Sequence, residues 1–255
     1  GTHHPIEVAF WRNLICFIPS ILFVIISGKY NLIKTKMPFT LGFRVLIGTL
    51  GLVLTMAALQ HLPVSDATVL FFASTLILPV LAHFILKEKI GSHRWVAVFV
   101  GMSGVLLIAR PSGEVPLLGI AIALAAALTH AAIQVLIRSM RSENPFTITF
   151  YFFTGGMLIL APCLPFVWHT PTWNSAGILL LIGITGGLGQ YFLTRGFQIA
   201  PASLLSPFNY TGLIWATGLD IVIWHYVPTW HIYTGALIIL AAQTYIIYRE
   251  KKAKS

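Results

Sequence analysis

A chain of 255 residues that is 57% hydrophobic and only 9% charged has too little polar surface to face water as a soluble domain, and reads instead as an all-α polytopic membrane protein. The formal net charge of +9 is gathered in short clusters between apolar runs; with no basic stripe along a polar face, it reports orientation and excludes a nucleic-acid partner. Cys16 and Cys163 lie inside apolar runs, which points to packing rather than to a disulfide or a metal site. No cofactor is expected.

A bilayer span needs about 20 mostly apolar residues. In chain order the runs 7–27, 41–60, 66–86, 94–110, 116–138, 146–167, 176–197, 203–224 and 231–248 meet that need, and short polar connectors join them. In lipid the backbone must satisfy itself, so these runs are expected to be helices. The first run leads into a polytopic pattern and is read as a span rather than a cleavable leader.

The connectors fix an expected orientation. One alternate set, with the C-terminal tail, holds Lys29, Lys34, Lys36, Arg44, Lys87, Lys89, Arg94, Arg138, Arg141, Arg195, Arg249, Lys251, Lys252 and Lys254, whereas the other holds only Arg110, with Arg12 just inside the first run. The basic side is expected to be cytoplasmic, with the C-terminus on that side.

The chain also repeats itself. A shift of 138 lays Gly48, Leu50, Gly51, Gln60, Pro63, Ser65 and Leu81 on Gly186, Leu188, Gly189, Gln198, Pro201, Ser203 and Leu219, and a shift of 140 lays Pro5, Phe10 and Trp11 on Pro145, Phe150 and Tyr151. Residues 1–112 and 113–255 are thus expected to be two repeats. The run 116–138 has no counterpart ahead of 7–27, so a first helix is expected to be missing from this chain. With it restored, each repeat has five helices, and an odd number inverts the second repeat in the membrane, a recurrent design of secondary transporters.

Several motifs carry less than they suggest. Gly183-Ile-Thr-Gly186-Gly-Leu-Gly189 has no preceding strand and lies within a span, so its small residues are expected to let helices approach rather than to bind a nucleotide. The same reading holds for Gly101-Met-Ser-Gly104, with a homodimer contact left open. His130-Ala-Ala-Ile-Gln134 lacks the Glu and second His of a zinc-protease helix, and Asp220 has no second intramembrane acid for a protease dyad. No catalytic residue is assigned.

The order of Phe10-Trp-Arg12, Ala58-Leu-Gln-His-Leu-Pro63, Pro79, Lys87-Glu88 and Gly101-Met-Ser-Gly104-Val resembles the drug/metabolite transporter superfamily, and within it the EamA-type permeases, over essentially the whole chain. The resemblance implies a ten-helix bundle of two five-helix repeats, cytoplasmic termini, a bacterial inner-membrane location and transport of small organic metabolites. Tyr226, where the resemblance would place a Glu like Glu88, and Thr217, where the first repeat has Pro79, depart from its pattern.

Polar residues inside spans mark the candidate site, because ionisable and amide groups are costly there. His130 and Gln134 share a face at i and i+4. Ser206, Tyr210, Leu213, Thr217 and Asp220 recur at helical spacing, and the 138 shift places Phe72 on Tyr210, with Thr75 continuing that face. Gln190, Tyr191 and Asn209 sit at similar depth. Substrate is therefore expected between the two repeats near mid-depth, with Phe72, Tyr191, Tyr210 and Trp215 offering aromatic faces and His130, Gln134, Gln190, Asn209 and Thr75 offering hydrogen bonds. For each of these residues, simple helix packing is the competing reading. Arg12 and Asp220, each about a turn inside the outer face, are candidates for coupling or gating and for pairing with each other. This composition suits an amino acid, an amine or a nucleoside-like compound such as S-adenosylmethionine. A dianionic sugar phosphate fits poorly, since no two basic residues are expected at mid-depth. The function expected is secondary transport by alternating access; a passive channel or membrane scaffold is the alternative, and an intramembrane enzyme lies further off.

Overall fold

The computed structural model describes residues 3–86, 92–108, 116–199 and 211–252. Among them the chain is all-helical, without strands, and each of the nine apolar runs read from the sequence carries helix. The elements are α1 (Pro5–Ser27), α2 (Pro38–His61), α3 (Val64–Phe71), α4 (Ala73–Leu86), α5 (Ser92–Ile108), α6 (Leu117–Ser139), α7 (Pro145–Leu160), α8 (Leu164–Val167), α9 (Trp173–Ile199), α10 (Thr211–Trp224) and α11 (Trp230–Lys252). Six segments are long and apolar enough to cross a membrane, and three shorter apolar helices accompany them. Many large apolar side chains are left outside along the helices, among them Ile26, Phe39 and Trp173, the reverse of a water-facing surface and the condition lipid requires.

Local chemistry sets the boundaries. α1 begins at Pro5, whose missing N–H costs nothing in a first turn, while the His4 ring accepts from the Ile6 N–H. It ends at Gly28, which takes the left-handed conformation at φ 65° and donates to the Ile25 carbonyl. α7 repeats that opening with Pro145 at its start and the Asn144 side chain accepting from the Phe146 N–H at 2.8 Å. Two departures from unbroken spans appear. The run 66–86 divides at Phe72 into α3 and α4, and the run 146–167 passes through a 3-10 turn, Ala161–Cys163, before α8, with Pro162 and Pro165 supplying the interruptions.

The chain packs as two units, each drawing segments from both halves of the sequence. One consists of Gly1–Met56 and Leu136–Ile199, the other of Ala57–Val135 and Ala200–Ser255. In the first, α1 packs on α7 and α9. A Cβ at Gly183 would strike Ile15, one at Gly186 would strike Arg12, and one at Gly187 would strike Cys16, so the glycine motif serves helix packing as its spacing suggests. The connector before α2 is tied down here: Thr35 and the Lys36 N–H donate to the Glu143 carboxylate, and Tyr151 donates to the Ile33 carbonyl. Gln198 donates to the Met140 and Glu143 carbonyls, sealing the end of α6 that would otherwise leave acceptors open.

In the second unit α5 lies along α11, with Gly104 so close to the Gly235 carbonyl and Ile238 that no side chain fits. Gly101 admits Leu76 of α4 in the same way. The core is built of small and branched residues, including Ala58, Ala67, Ala123 and Ala127 around Leu70 and Leu76.

Candidate substrate site

Two buried polar clusters stand out, one in each unit. In the unit of Ala57–Val135 and Ala200–Ser255, Asp220 of α10 is 1% exposed. Its carboxylate accepts from the Val64 N–H at 3.1 Å, from the Ser65 N–H at 2.7 Å and from the Ser65 hydroxyl. Those N–H groups open α3, so a carboxylate remote in sequence caps that helix and meets the positive end of its dipole. Ser65 also reaches the neighbouring Asp66, whose other oxygen accepts from the Tyr226 hydroxyl at 3.1 Å. Tyr226 lies in the connector between α10 and α11. Burial, and then the facing Asp66 carboxylate, hold its phenol above the ordinary range. The residue that departs from the family pattern in sequence is thereby given a partner.

The sequence-derived candidates of this unit are spread along its helices. His130 on α6 meets the edge of Phe71, ring centroids 5.4 Å apart. Gln134 follows on the same face, with Ala123, Ala127 and Ala131 buried along it. Phe72 is buried in the apolar core at the α3–α4 break, and the Thr75 hydroxyl donates to the Phe72 carbonyl at 2.7 Å. On α10 the buried face is that of Ala216 and Asp220; Trp215 is 72% exposed, turned away from it. Asn209 and Tyr210, like Ser206, lie outside the described residues.

In the unit of Gly1–Met56 and Leu136–Ile199 the sequence signal was partly misleading. Arg44, counted above with the connector charges, lies within α2 and is 0% exposed. Its guanidinium carbon sits 4.4 Å from the centroid of the Phe152 ring, in the space Gly48 leaves by having no Cβ. Arg12 of α1 donates to the Gly186 carbonyl at 2.8 Å. Asn13, 0% exposed, and Thr49, 3% exposed, meet at the space beside Gly156. From sequence alone Arg44 looked like an interfacial charge; in the fold it is buried against Phe152 of α7. Arg12 and Asp220, candidates for pairing in the sequence, each find the partners named here inside their own unit.

Beside this cluster α1, α7 and α9 line a largely apolar, half-open cavity of about 280 Å³, its walls including Cys16, Ser20, Phe146, Phe150, Phe153 and Tyr191. Tyr191 thus lies where a ligand could meet it. Gln190, one residue away, donates its amide to the Thr194 hydroxyl at 3.4 Å, a contact within α9.

The sequence of this helical bundle matches one transporter family. The profile of the EamA-like transporter family matches residues 1–110 and 117–248. The chain belongs to the EamA-like transporter family. An S-adenosylmethionine uptake transporter from Rickettsia prowazekii (strain Madrid E) is 31% identical over 253 residues, covering 99% of this chain and 86% of that protein. A riboflavin transporter from Rhizobium johnstonii is 26% identical over 96% of this chain and 82% of its own length. The pseudopaline exporter CntI of Pseudomonas aeruginosa is 28% identical over 92% and 84%. A crystal structure at 17% identity superposes with a TM-score of 0.72, covering 100% of this chain and 91% of that one; at that identity the likeness establishes the fold alone. This EamA-type chain is a multi-pass membrane protein of a family whose named relatives are transporters, not enzymes.

Proposed function

We propose that the protein is a secondary transporter of the bacterial cytoplasmic membrane that moves a small organic metabolite, of the class of S-adenosylmethionine, by alternating access. The observation that carries the reading is the full-length similarity, 30–31% identity over 98–99% of this chain, to four proteins named S-adenosylmethionine uptake transporter. It is supported by the pattern of repeated glycines, glutamines and prolines, which suits inverted five-helix repeats, and by the excess of Lys and Arg on one set of connectors, which suits a cytoplasmic C-terminus. His130, Gln134, Gln190, Tyr191, Asn209, Tyr210, Trp215, Phe72 and Thr75 are the proposed substrate contacts, with Arg12 and Asp220 as coupling or gating residues.

The test is transport by purified protein in liposomes. Saturable uptake of labelled S-adenosylmethionine, accelerated by unlabelled compound inside, is the expected result. Unsaturable flux would instead mark a passive channel, and no flux across a broad metabolite panel would mark a scaffold.

A further inference from the structure

Deepening the transporter reading above, we propose that Arg44 and Asn13, flanked by Arg12, form a receptor for an α-amino-acid head group: the substrate carboxylate docks on the Arg44 guanidinium and its ammonium on the Asn13 amide oxygen. The proposal starts from unmet chemistry. Arg44 is 0% exposed, yet none of its three guanidinium nitrogens has a hydrogen-bond partner among the described residues. Leaving a charge buried and unpaired is among the costliest arrangements in a protein, and arginine keeps its charge where other groups would neutralise. The Phe152 ring beneath it satisfies one face of the guanidinium and none of its donors.

The neighbours are unmet in a complementary way. Asn13 is 0% exposed with neither its amide nitrogen nor its oxygen paired, and the Thr49 hydroxyl beside it is unpaired as well. Arg12 spends one guanidinium nitrogen on Gly186 and leaves Nη1 without a partner. The buried acid of α1, Glu7, faces His3 at 3.1 Å and His169 at 3.9 Å instead of either arginine. A planar fork of donors takes a carboxylate with two parallel hydrogen bonds, and the amide oxygen of Asn13, at Gly156 one turn along α7 from Phe152, takes an ammonium. A phosphate would use the arginines but would leave that oxygen idle, which is why a zwitterionic head group is the better fit. The apolar cavity, lined on α1 by Ile15, Cys16, Pro19 and Ser20, lies within one helical turn of Arg12 and Asn13 and receives the remainder of such a molecule.

The experiment measures thermal unfolding of the purified full chain in detergent, titrated with S-adenosylmethionine, L-methionine, L-methionine methyl ester and the anionic lipid phosphatidylglycerol. Wild-type protein is expected to be stabilised by the first two and not by the ester. Arg44→Met, which keeps the stem over Phe152 and removes the charge, is expected to unfold at the same or a higher temperature without ligand and to bind at least about tenfold more weakly. Asn13→Asp puts a carboxylate where the substrate ammonium docks, within the same cluster as Arg44 and Arg12, and is expected to block the ligand-induced shift in a protein that still folds, so the proposal does not depend on one variant. Equal shifts in wild type and Arg44→Met, equal response to acid and ester, or no response of the wild type to any zwitterion would each overturn it. A shift with phosphatidylglycerol alone, lost in Arg44→Met, would overturn it in favour of a lipid phosphate. Saturable transport of S-adenosylmethionine with no dependence on Arg44 would defeat this inference while leaving the transporter reading intact; Arg44-dependent binding of methionine without transport would do the opposite.

Discussion

Gly48 and Gly186, which the internal shift of 138 residues superposes, each leave the space that an arginine side chain fills, Arg44 beside the first and Arg12 beside the second. The pairs are not built alike. Arg44 belongs to the same helix as Gly48, one turn earlier, whereas Arg12 reaches Gly186 from α1 across to α9.

Adding a methyl group at either glycine is therefore expected to destabilise the protein. Gly48→Ala meets both Arg44 and Phe152, and Gly186→Ala meets Arg12; overpacking of this kind typically costs about 1–3 kcal/mol. Gly189→Ala, whose Cβ would meet nothing within 4 Å, is expected to be neutral or slightly stabilising, as helical alanine usually is relative to glycine. Unfolding midpoints of the three variants in one detergent check the ranking.

Removing the remote cap of α3 should be felt more strongly than removing either of its donors. Asp220→Ala takes away the acceptor of three hydrogen bonds, each charge-assisted bond being worth about 1.5–3 kcal/mol. Ser65→Ala removes only the hydroxyl donor and should cost less. Because the two share one interaction, their double variant is expected to lose less than the sum of the single losses, which a double-mutant cycle of unfolding free energies measures.

The raised Tyr226 phenol gives a pH dependence with a definite sign. A phenol whose folded value lies above its unfolded value of about 10 contributes stability that is complete below that pH and is lost as pH rises from there toward the folded value. The stability difference between wild type and Tyr226→Phe is thus expected to be flat from pH 7 to about 9.5 and to shrink above about 10. Unfolding midpoints across this range, taken side by side, test it.

Transport should separate the proposed contacts from the surface. His130→Ala, Gln134→Ala, Gln190→Ala, Tyr191→Ala and Tyr210→Ala are each expected to lower uptake about tenfold where a buried hydrogen bond or ring contact is lost, the equivalent of about 1.4 kcal/mol. Trp173→Ala, at a position 95% exposed, is the control and should transport normally. Equal uptake by all six variants at equal membrane abundance would return the polar stripes to the packing role that competes with them in sequence.

Among the described residues, hydropathy was enough to find helix in each of the nine apolar runs, because length and apolarity are what a bilayer demands. The glycine motif at 183–189 also declared its packing role, since a nucleotide site would need a strand before it. The side chains those glycines receive could not be read. At Gly186 the guanidinium that fills the place of a Cβ is delivered by another helix, and nothing in a one-dimensional pattern says that α1 docks with Arg12 facing Gly186. Arg44 was misread for a related reason: a basic residue four positions into an apolar run looks like a charge at the interface, and its burial is decided by Phe152, more than a hundred residues away. Tyr226 was visible only as an irregularity, because its partner Asp66 is distant in sequence and near only in the fold. The division of the 66–86 run at Phe72 carried no proline or glycine to announce it.

The Asp220 carboxylate sets how force enters α3. The eight-residue helix is clamped at its first turn by that carboxylate and passes into α4 through Phe72, whose backbone keeps a right-handed helical conformation at φ −64° and ψ −18°. Any tilt of α10 is therefore delivered through Val64 and Ser65 to a run that carries it on toward Leu86.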